Sequence, residues 1–239
     1  MIKKYQGIIL NSIDYKENHK IVYVLTIDGR VSALIPRAKR IKEGLIADTE
    51  NLTLVEFEIE DKDKLGKAKG IEALDRYNDI KNDLRKYTVA SYALELIYRM
   101  VNPDFNSIVL YKLFLEFLNQ LKKRDDLKVL LLQFRIKMLY FLGIQPNFKE
   151  CIHCGMTKDL VGLSLDFGAM ECVSHQSENN IGIDSTNIIK LLYLDKTFAI
   201  KLDDIDVISY LSNIIDEYYE KHQYYGLKSV KMLKELKCY

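Results

Sequence analysis

The chain has 239 residues, and its 35 Lys and Arg against 34 Asp and Glu leave a net charge of +1. A hydrophobic share of 48% with 29% charged residues excludes global disorder, and no apolar stretch reaches membrane-spanning length. The opening Met1-Ile2-Lys3-Lys4 is followed only by the short run Ile8-Ile9-Leu10, too brief for a secretory signal, so a cytoplasmic protein is expected.

Residues 4 to about 75 read as strands. Tyr5, Ile8, Ile9 and Leu10 begin the first, which runs to a polar turn at Asp14-Tyr15-Lys16-Glu17-Asn18. Ile21 to Thr26 is rich in β-branched and aromatic residues and ends at Asp28-Gly29, a hairpin signal. Val31 to Pro36 returns. Leu52 to Glu60 alternates, with Val55, Phe57 and Ile59 on one face and Glu56, Glu58 and Glu60 on the other, as a half-buried strand requires. A last strand spans Ala68 to Leu74. Five short strands in so few residues suit a small closed barrel of the OB-fold kind.

After Asp75 the period becomes helical. Leu84, Tyr87, Ser91, Leu94, Ile97, Tyr98 and Val101 share a face, and Asn102-Pro103 ends that helix. Ser107 is placed to cap a second helix carrying Tyr111, Phe114, Leu118 and Leu121. The third, Leu127 to Leu142, is apolar nearly all round and should be buried; Gly143 and Pro146 stop it. Helical patterns return at Ile188 to Leu194, at Ile205 to Tyr219 after Asp203-Asp204, and at Leu227 to Lys237. The architecture expected is multidomain α+β: an OB-fold barrel over residues 1–78, then a helical domain over 79–239 into which a metal segment, about 149–184, is inserted.

That segment carries Cys151-x2-Cys154, seventeen residues, then Cys172-x2-His175. Two short ligand pairs flanking such a loop suit one tetrahedral zinc, and four protein donors leave no open position, so the zinc is expected to be structural. His153 is an alternative fourth ligand to His175. Buried thiols without metal are the plainer reading, and a thioredoxin-type redox pair lacks its strand-to-helix context.

Charge is local. From Lys16 to Lys42 the bases Lys16, Lys20, Arg30, Arg37, Lys39, Arg40 and Lys42 outnumber Glu17 and Asp28, whereas acids dominate from Asp48 to Asp63. The run Arg37-Ala38-Lys39-Arg40-Ile41-Lys42 follows a strand end, where OB-fold loops grip single strands. It forms with Lys16 and Lys20 a candidate nucleic-acid-binding surface, although a solvated basic loop has the same composition. Tyr5, Tyr15 and Tyr23 are candidates to stack on bases, against the commoner fate of core packing. Lys228, Lys231 and Lys234 on the last helix form a possible second basic patch, or a solvated face. Motifs of covalent catalysis are missing: no phosphate-cradling glycine loop, nucleophile elbow or His-Glu-x2-His helix, and no deaminase signature. A binding protein rather than an enzyme is expected. A zinc-containing RNA-binding factor and a zinc hydrolase or deaminase are the alternatives.

The ordered set of parts resembles the RecO family of bacterial recombination mediators. The resemblance lies in Gln6-Gly7-Ile8-Ile9-Leu10 before a polar turn, and in Thr26 to Ser32 before a basic loop. It continues in Phe134 to Pro146 before the cysteines, in Cys151-Ile152-His153-Cys154-Gly155, and in Leu227 to Leu233. It implies a non-enzymatic DNA repair and recombination protein of the nucleoid. Such a protein binds single- and double-stranded DNA, anneals complementary strands, associates with RecR and the tail of single-stranded-DNA-binding protein, and helps load RecA. Zinc-bearing members commonly complete the site with a fourth cysteine where this chain has His175.

Overall fold

The computed structural model describes residues 2–40, 45–60, 65–102, 105, 107–223 and 226–238. They fall into two compact units, Met1–Lys122 and Lys123–Tyr239.

In the first unit β1 (Ile2–Tyr15), β2 (His19–Thr26), β3 (Gly29–Ile35), β4 (Leu54–Glu60) and β5 (Gly66–Asp75) close into a barrel of order β1-β2-β3-β5-β4. Only β3 and β5 run parallel; the other neighbours are antiparallel. This is the OB-fold arrangement. β1 is long because it serves two walls, pairing through Ile2 to Ile8 with β4 and through Gly7 to Tyr15 with β2. At Gly7, where the walls meet, a Cβ would lie 2.4 Å from the Leu25 carbonyl oxygen. Only a residue without a side chain allows that approach.

The alternation in β4 sorts as its sequence demands. Val55, Phe57 and Ile59 are buried among Val22, Val24, Ala33, Ile35, Ala68 and Ile71, each burial contributing about 1.5–3 kcal/mol. Glu56 turns outward and pairs with Lys4 at 2.6 Å. α1 (Asn78–Lys81), α2 (Leu84–Met100) and α3 (Ser107–Lys123) follow. The Asp83 carboxylate starts α2 by accepting from the amides of Arg85 and Lys86 at 2.9 and 3.1 Å, satisfying donors the helix leaves open. Ser107 does not cap α3 as expected: it is the first helical residue, and its hydroxyl donates to the Ile27 carbonyl at 2.8 Å.

The second unit is built on α4 (Leu127–Phe141), which packs against α5 (Ile183–Leu194) and α6 (Ile205–His222). Even its polar residues Gln133, Arg135 and Lys137 are buried. Each has a partner: Gln133 donates to the Ile200 carbonyl at 2.7 Å, Lys137 to the carbonyls of Leu192 (2.8 Å) and Asp195, and Arg135 pairs with Asp216. Lys137 thereby closes the carboxyl end of α5, where the helix dipole favours a cation. Asp204 starts α6 by accepting from the amides of Asp206 and Val207. α7 (Ser229–Glu235) is the last element of the described residues.

The metal segment is more regular than its sequence suggests. β6 (Asn147–Cys151), β7 (Leu160–Ser164) and β8 (Ala169–Cys172) form a sheet of order β6-β8-β7. These strands are too short to display a period, and β8 is buried on both faces, so it carries no alternation. Thr186 ties the sheet to α5, accepting from the Leu163 amide at 2.9 Å and donating to the Gly182 carbonyl at 2.7 Å. Among the described residues no helix is long and apolar enough to cross a membrane.

Candidate nucleic-acid interface and metal centre

Two turns meet at one end of the barrel. Lys16, Glu17 and Asn18 join β1 to β2, and Pro36 to Arg40 leave β3. The Arg37 amide donates to His19 Nδ1 at 3.1 Å, and the Lys39 amide to the Asn18 carbonyl at 3.2 Å. Arg40 closes its own turn onto the Arg37 carbonyl at 2.9 Å. Ala38, fully buried in the barrel core, pins the middle of the loop, while Arg37 and Arg40 on either side are exposed. The sequence-predicted residues Lys16, Lys20, Arg37, Lys39 and Arg40 are thus brought to one barrel end. Lys42 lies outside the described residues. Lys39 is half-buried and pairs with Asp14 at 2.7 Å. That hydrogen bond, helped by the charges of Lys39 and Lys20, holds the Asp14 carboxyl below its ordinary range against a smaller opposing effect of burial. Part of the cationic charge at this end is therefore already neutralised by Asp14. Sequence reading missed His19 and Ala38, which position the loop; neither residue type signals such a role by itself.

The three candidate tyrosines separate. Tyr5 stacks on Phe57 with centroids 5.7 Å apart, against the barrel core. Tyr23 lies 5.2 Å from Tyr98 of α2, and burial, with Tyr98 beside it, pushes its hydroxyl pKa up. Both are packing residues. Tyr15 is 38% exposed, with the Lys16 ammonium 5.4 Å from its ring centre, and it alone of the three stands beside the basic turns.

In the second unit the metal ligand set assembles as the spacing anticipates. Cys151 ends β6, Cys172 ends β8, and a 3-10 turn over Val173–His175 follows. The four donor atoms of Cys151, Cys154, Cys172 and His175 lie within 4.8 Å of one another. Cys154 Sγ is 3.8 Å from Cys172 Sγ, and His175 Nδ1 is 3.3 Å from Cys172 Sγ and 3.8 Å from Cys151 Sγ. Gly155, at φ +69°, takes the left-handed conformation that turns the Cys151–Cys154 knuckle back on itself; its amide donates to the Cys151 carbonyl at 2.8 Å. Burial raises the Cys151 pKa, but the amides of His153, Cys154 and Cys172 overcome it and bring the thiol down to about 6. A site that favours thiolate is one prepared for a cation. His153, the alternative ligand, is not one of the four clustered donors, although its ring lies 5.4 Å from that of His175. Its Nε2 is 3.6 Å from Glu171 Oε1, and its ring meets Phe167 edge-on at 5.1 Å. Glu171, which the sequence did not single out, precedes Cys172 and is fully buried. Its Oε2 accepts from the Ser177 amide, the Ser177 hydroxyl and the Asn180 amide group at 3.1, 3.0 and 2.9 Å, so it fixes the loop that follows His175. The Cys3His set can hold a metal ion.

Lys228, Lys231 and Lys234 are exposed in the second unit, at the start of and along α7, with Leu227 and Leu233 buried on the other side. Glu235 lies 3.9 Å from Lys231. The tyrosines at 224 and 225 lie outside the described residues.

Comparison with known proteins agrees with this arrangement. The family model for recombination protein O, N terminal, matches residues 1–77, and that for recombination protein O, C terminal, matches residues 81–231. Curated relatives named DNA repair protein RecO are similar over nearly their whole length. That of Halalkalibacterium halodurans is 27% identical, covering 99% of this chain and 96% of its own. That of Listeria monocytogenes serotype 4b is 28% identical, covering 98% and 95%, and that of Oceanobacillus iheyensis 27%, covering 99% and 94%. The two family models between them span the OB-fold barrel and the helical region with its Cys3His cluster, and the chain belongs to the RecO family.

Proposed function

We propose that this chain is a DNA repair and recombination mediator of the cytoplasm that binds single- and double-stranded DNA at the basic barrel end and anneals complementary strands without covalent chemistry. The observation that carries the reading is the joining of two turns by the Arg37–His19 and Lys39–Asn18 hydrogen bonds. It gathers Lys16, Lys20, Arg37, Lys39 and Arg40 on one end of a closed barrel. Phosphates on two strands neutralised there repel each other less, so complementary bases can meet. Contacts to phosphate read charge, not sequence, which suits a protein that must act at any break. Within the chain, residues 1–78 serve as the nucleic-acid-binding domain and 79–239 as the helical domain, which holds the metal segment. Association with RecR, with the tail of single-stranded-DNA-binding protein and through them with RecA belongs to the same proposal and rests on family membership.

The metal is zinc in this reading, held by Cys151, Cys154, Cys172 and His175 in a structural role. With zinc–sulfur bonds near 2.3 Å at tetrahedral angles, sulfur atoms stand about 3.8 Å apart, the Cys154–Cys172 separation found here. Bound zinc would fasten the ends of β6 and β8, in a segment too small to be held by a core of its own.

Annealing of complementary oligonucleotides without nucleotide tests the function. Acceleration at low salt that collapses as salt is raised is expected. If the quadruple alanine variant at Arg37, Lys39, Arg40 and Lys42 folds normally and keeps full DNA affinity, the site is assigned wrongly.

A further inference from the structure

Beside the basic barrel end, the first unit contains a cavity of about 450 Å³, wide open to solvent and lined by Ser12, Lys20, Glu50, Asn51, Lys81 and Tyr87. Its size lies within the range of roughly 300–1,000 Å³ typical of small-ligand pockets. Ser12 and Lys20 share a face of the β1–β2 hairpin, since Ser12 pairs with Val22 and Asp14 with Lys20. The Ser12 hydroxyl is buried with no hydrogen-bond partner among the described residues, a state that native proteins rarely leave unresolved. Lys20 makes no direct ion pair among the described residues and acts on Asp14 only through space. Lys81 is steered by Thr53 Oγ1 at 3.2 Å and Glu50 at 3.6 Å. Burial lowers its pKa, with Glu50 opposing that effect. Two ammonium groups against one carboxylate make the lining cationic, and Tyr87, half-buried in the first turns of α2, supplies a ring.

We infer that this cavity seats one nucleotide of a single strand, with its phosphate between Lys20 and Lys81, its base against Tyr87, and its polar edge toward Ser12 and Asn51. The inference rests on the DNA-binding reading of the barrel end, because Lys20 belongs to both places and leads a backbone from one into the other. A paired base enters only if it is unstacked and unpaired, which costs free energy that a single strand does not pay. The cavity therefore selects single strands, while the basic turns accept any phosphate backbone.

Affinities for a single strand and for the duplex of the same sequence test this, together with photocrosslinking of a single strand carrying 5-iodo-2′-deoxyuridine. Tyr87→Leu is expected to weaken single-strand binding about tenfold, within the range for loss of one base–aromatic stack, and to leave duplex binding within twofold. Tyr87→Phe is expected to keep both, and the wild-type crosslink should map to Tyr87. The proposal is overturned if Tyr87→Leu affects both ligands equally or neither, or if crosslinks map only elsewhere. Should Tyr87→Leu fail to fold, the wild-type crosslink decides. Loss of both ligands on Lys16, Arg37 and Arg40 substitution, with no effect at Tyr87, leaves the basic end standing and removes the cavity. A wild-type chain that binds neither ligand removes both.

Discussion

The Arg37 amide donates to His19 Nδ1, so the loop that presents Arg37 and Arg40 is held by a residue of the neighbouring strand as well as by its own turn and the buried Ala38. His19→Leu removes the acceptor and releases the loop. Single-strand affinity is expected to fall several-fold by fluorescence anisotropy while the thermal midpoint shifts little, since the lost bond is exposed. His19→Asn, which restores an acceptor oxygen, should recover most of the affinity.

Charge contacts leave a thermodynamic signature. Each phosphate neutralised on a single strand contributes about 0.7 to the slope of log affinity against log salt. Removing Lys16, Arg37 and Arg40 together is expected to lower that slope by about 2 and affinity by at least tenfold at low salt. An unchanged slope in an anisotropy titration across salt concentrations would show that these side chains do not touch phosphate.

Metal content follows from the ligand geometry. Purified protein is expected to carry one zinc per chain by elemental analysis, and Cys151→Ala or Cys172→Ala to lose it, with protease sensitivity appearing between residues 147 and 182. His153→Ala should retain the metal, because His153 faces Glu171. His175→Cys should retain it too, since thiolate is an equally competent donor.

Lys137 gives a pH prediction whose sign is fixed. Burial pulls its pKa down to about 8, with Asp195 opposing, whereas in the unfolded chain it titrates near its ordinary value of about 10.4. Between those values the unfolded chain binds more protons, so stability rises with pH. Below about pH 8 both states are protonated and the native state bears the full cost of the buried charge. Relative to Lys137→Met, the wild-type chain is expected to gain on the order of 3 kcal/mol from pH 8 to 10.5 in urea unfolding. A flat difference would mean that the ammonium group is well solvated.

The barrel strands were legible because their residues declare their faces: Val55, Phe57 and Ile59 against Glu56, Glu58 and Glu60, with Asp28-Gly29 marking a turn. The fate of a tyrosine was not legible, because it depends on partners distant in sequence. Phe57 claims Tyr5, and Tyr98 claims Tyr23. Spacing alone left His153 and His175 as rivals. The left-handed turn at Gly155 and the buried Glu171 carboxylate separate them, and neither is encoded in a ligand count. Ser107 looked like a cap but spends its hydroxyl on Ile27, eighty residues earlier in the chain.

The double pairing of β1 through Gly7 and Ile8 has one more consequence. A sheet closed into a ring offers a visiting chain little open edge along which to add itself as another strand, the short β3–β5 seam apart. A polymer that settles on this barrel meets side chains and little bare backbone. Its hold would then be loosened by competing ions without unmaking any part of the protein, so that a polymer could leave the barrel as readily as it arrived.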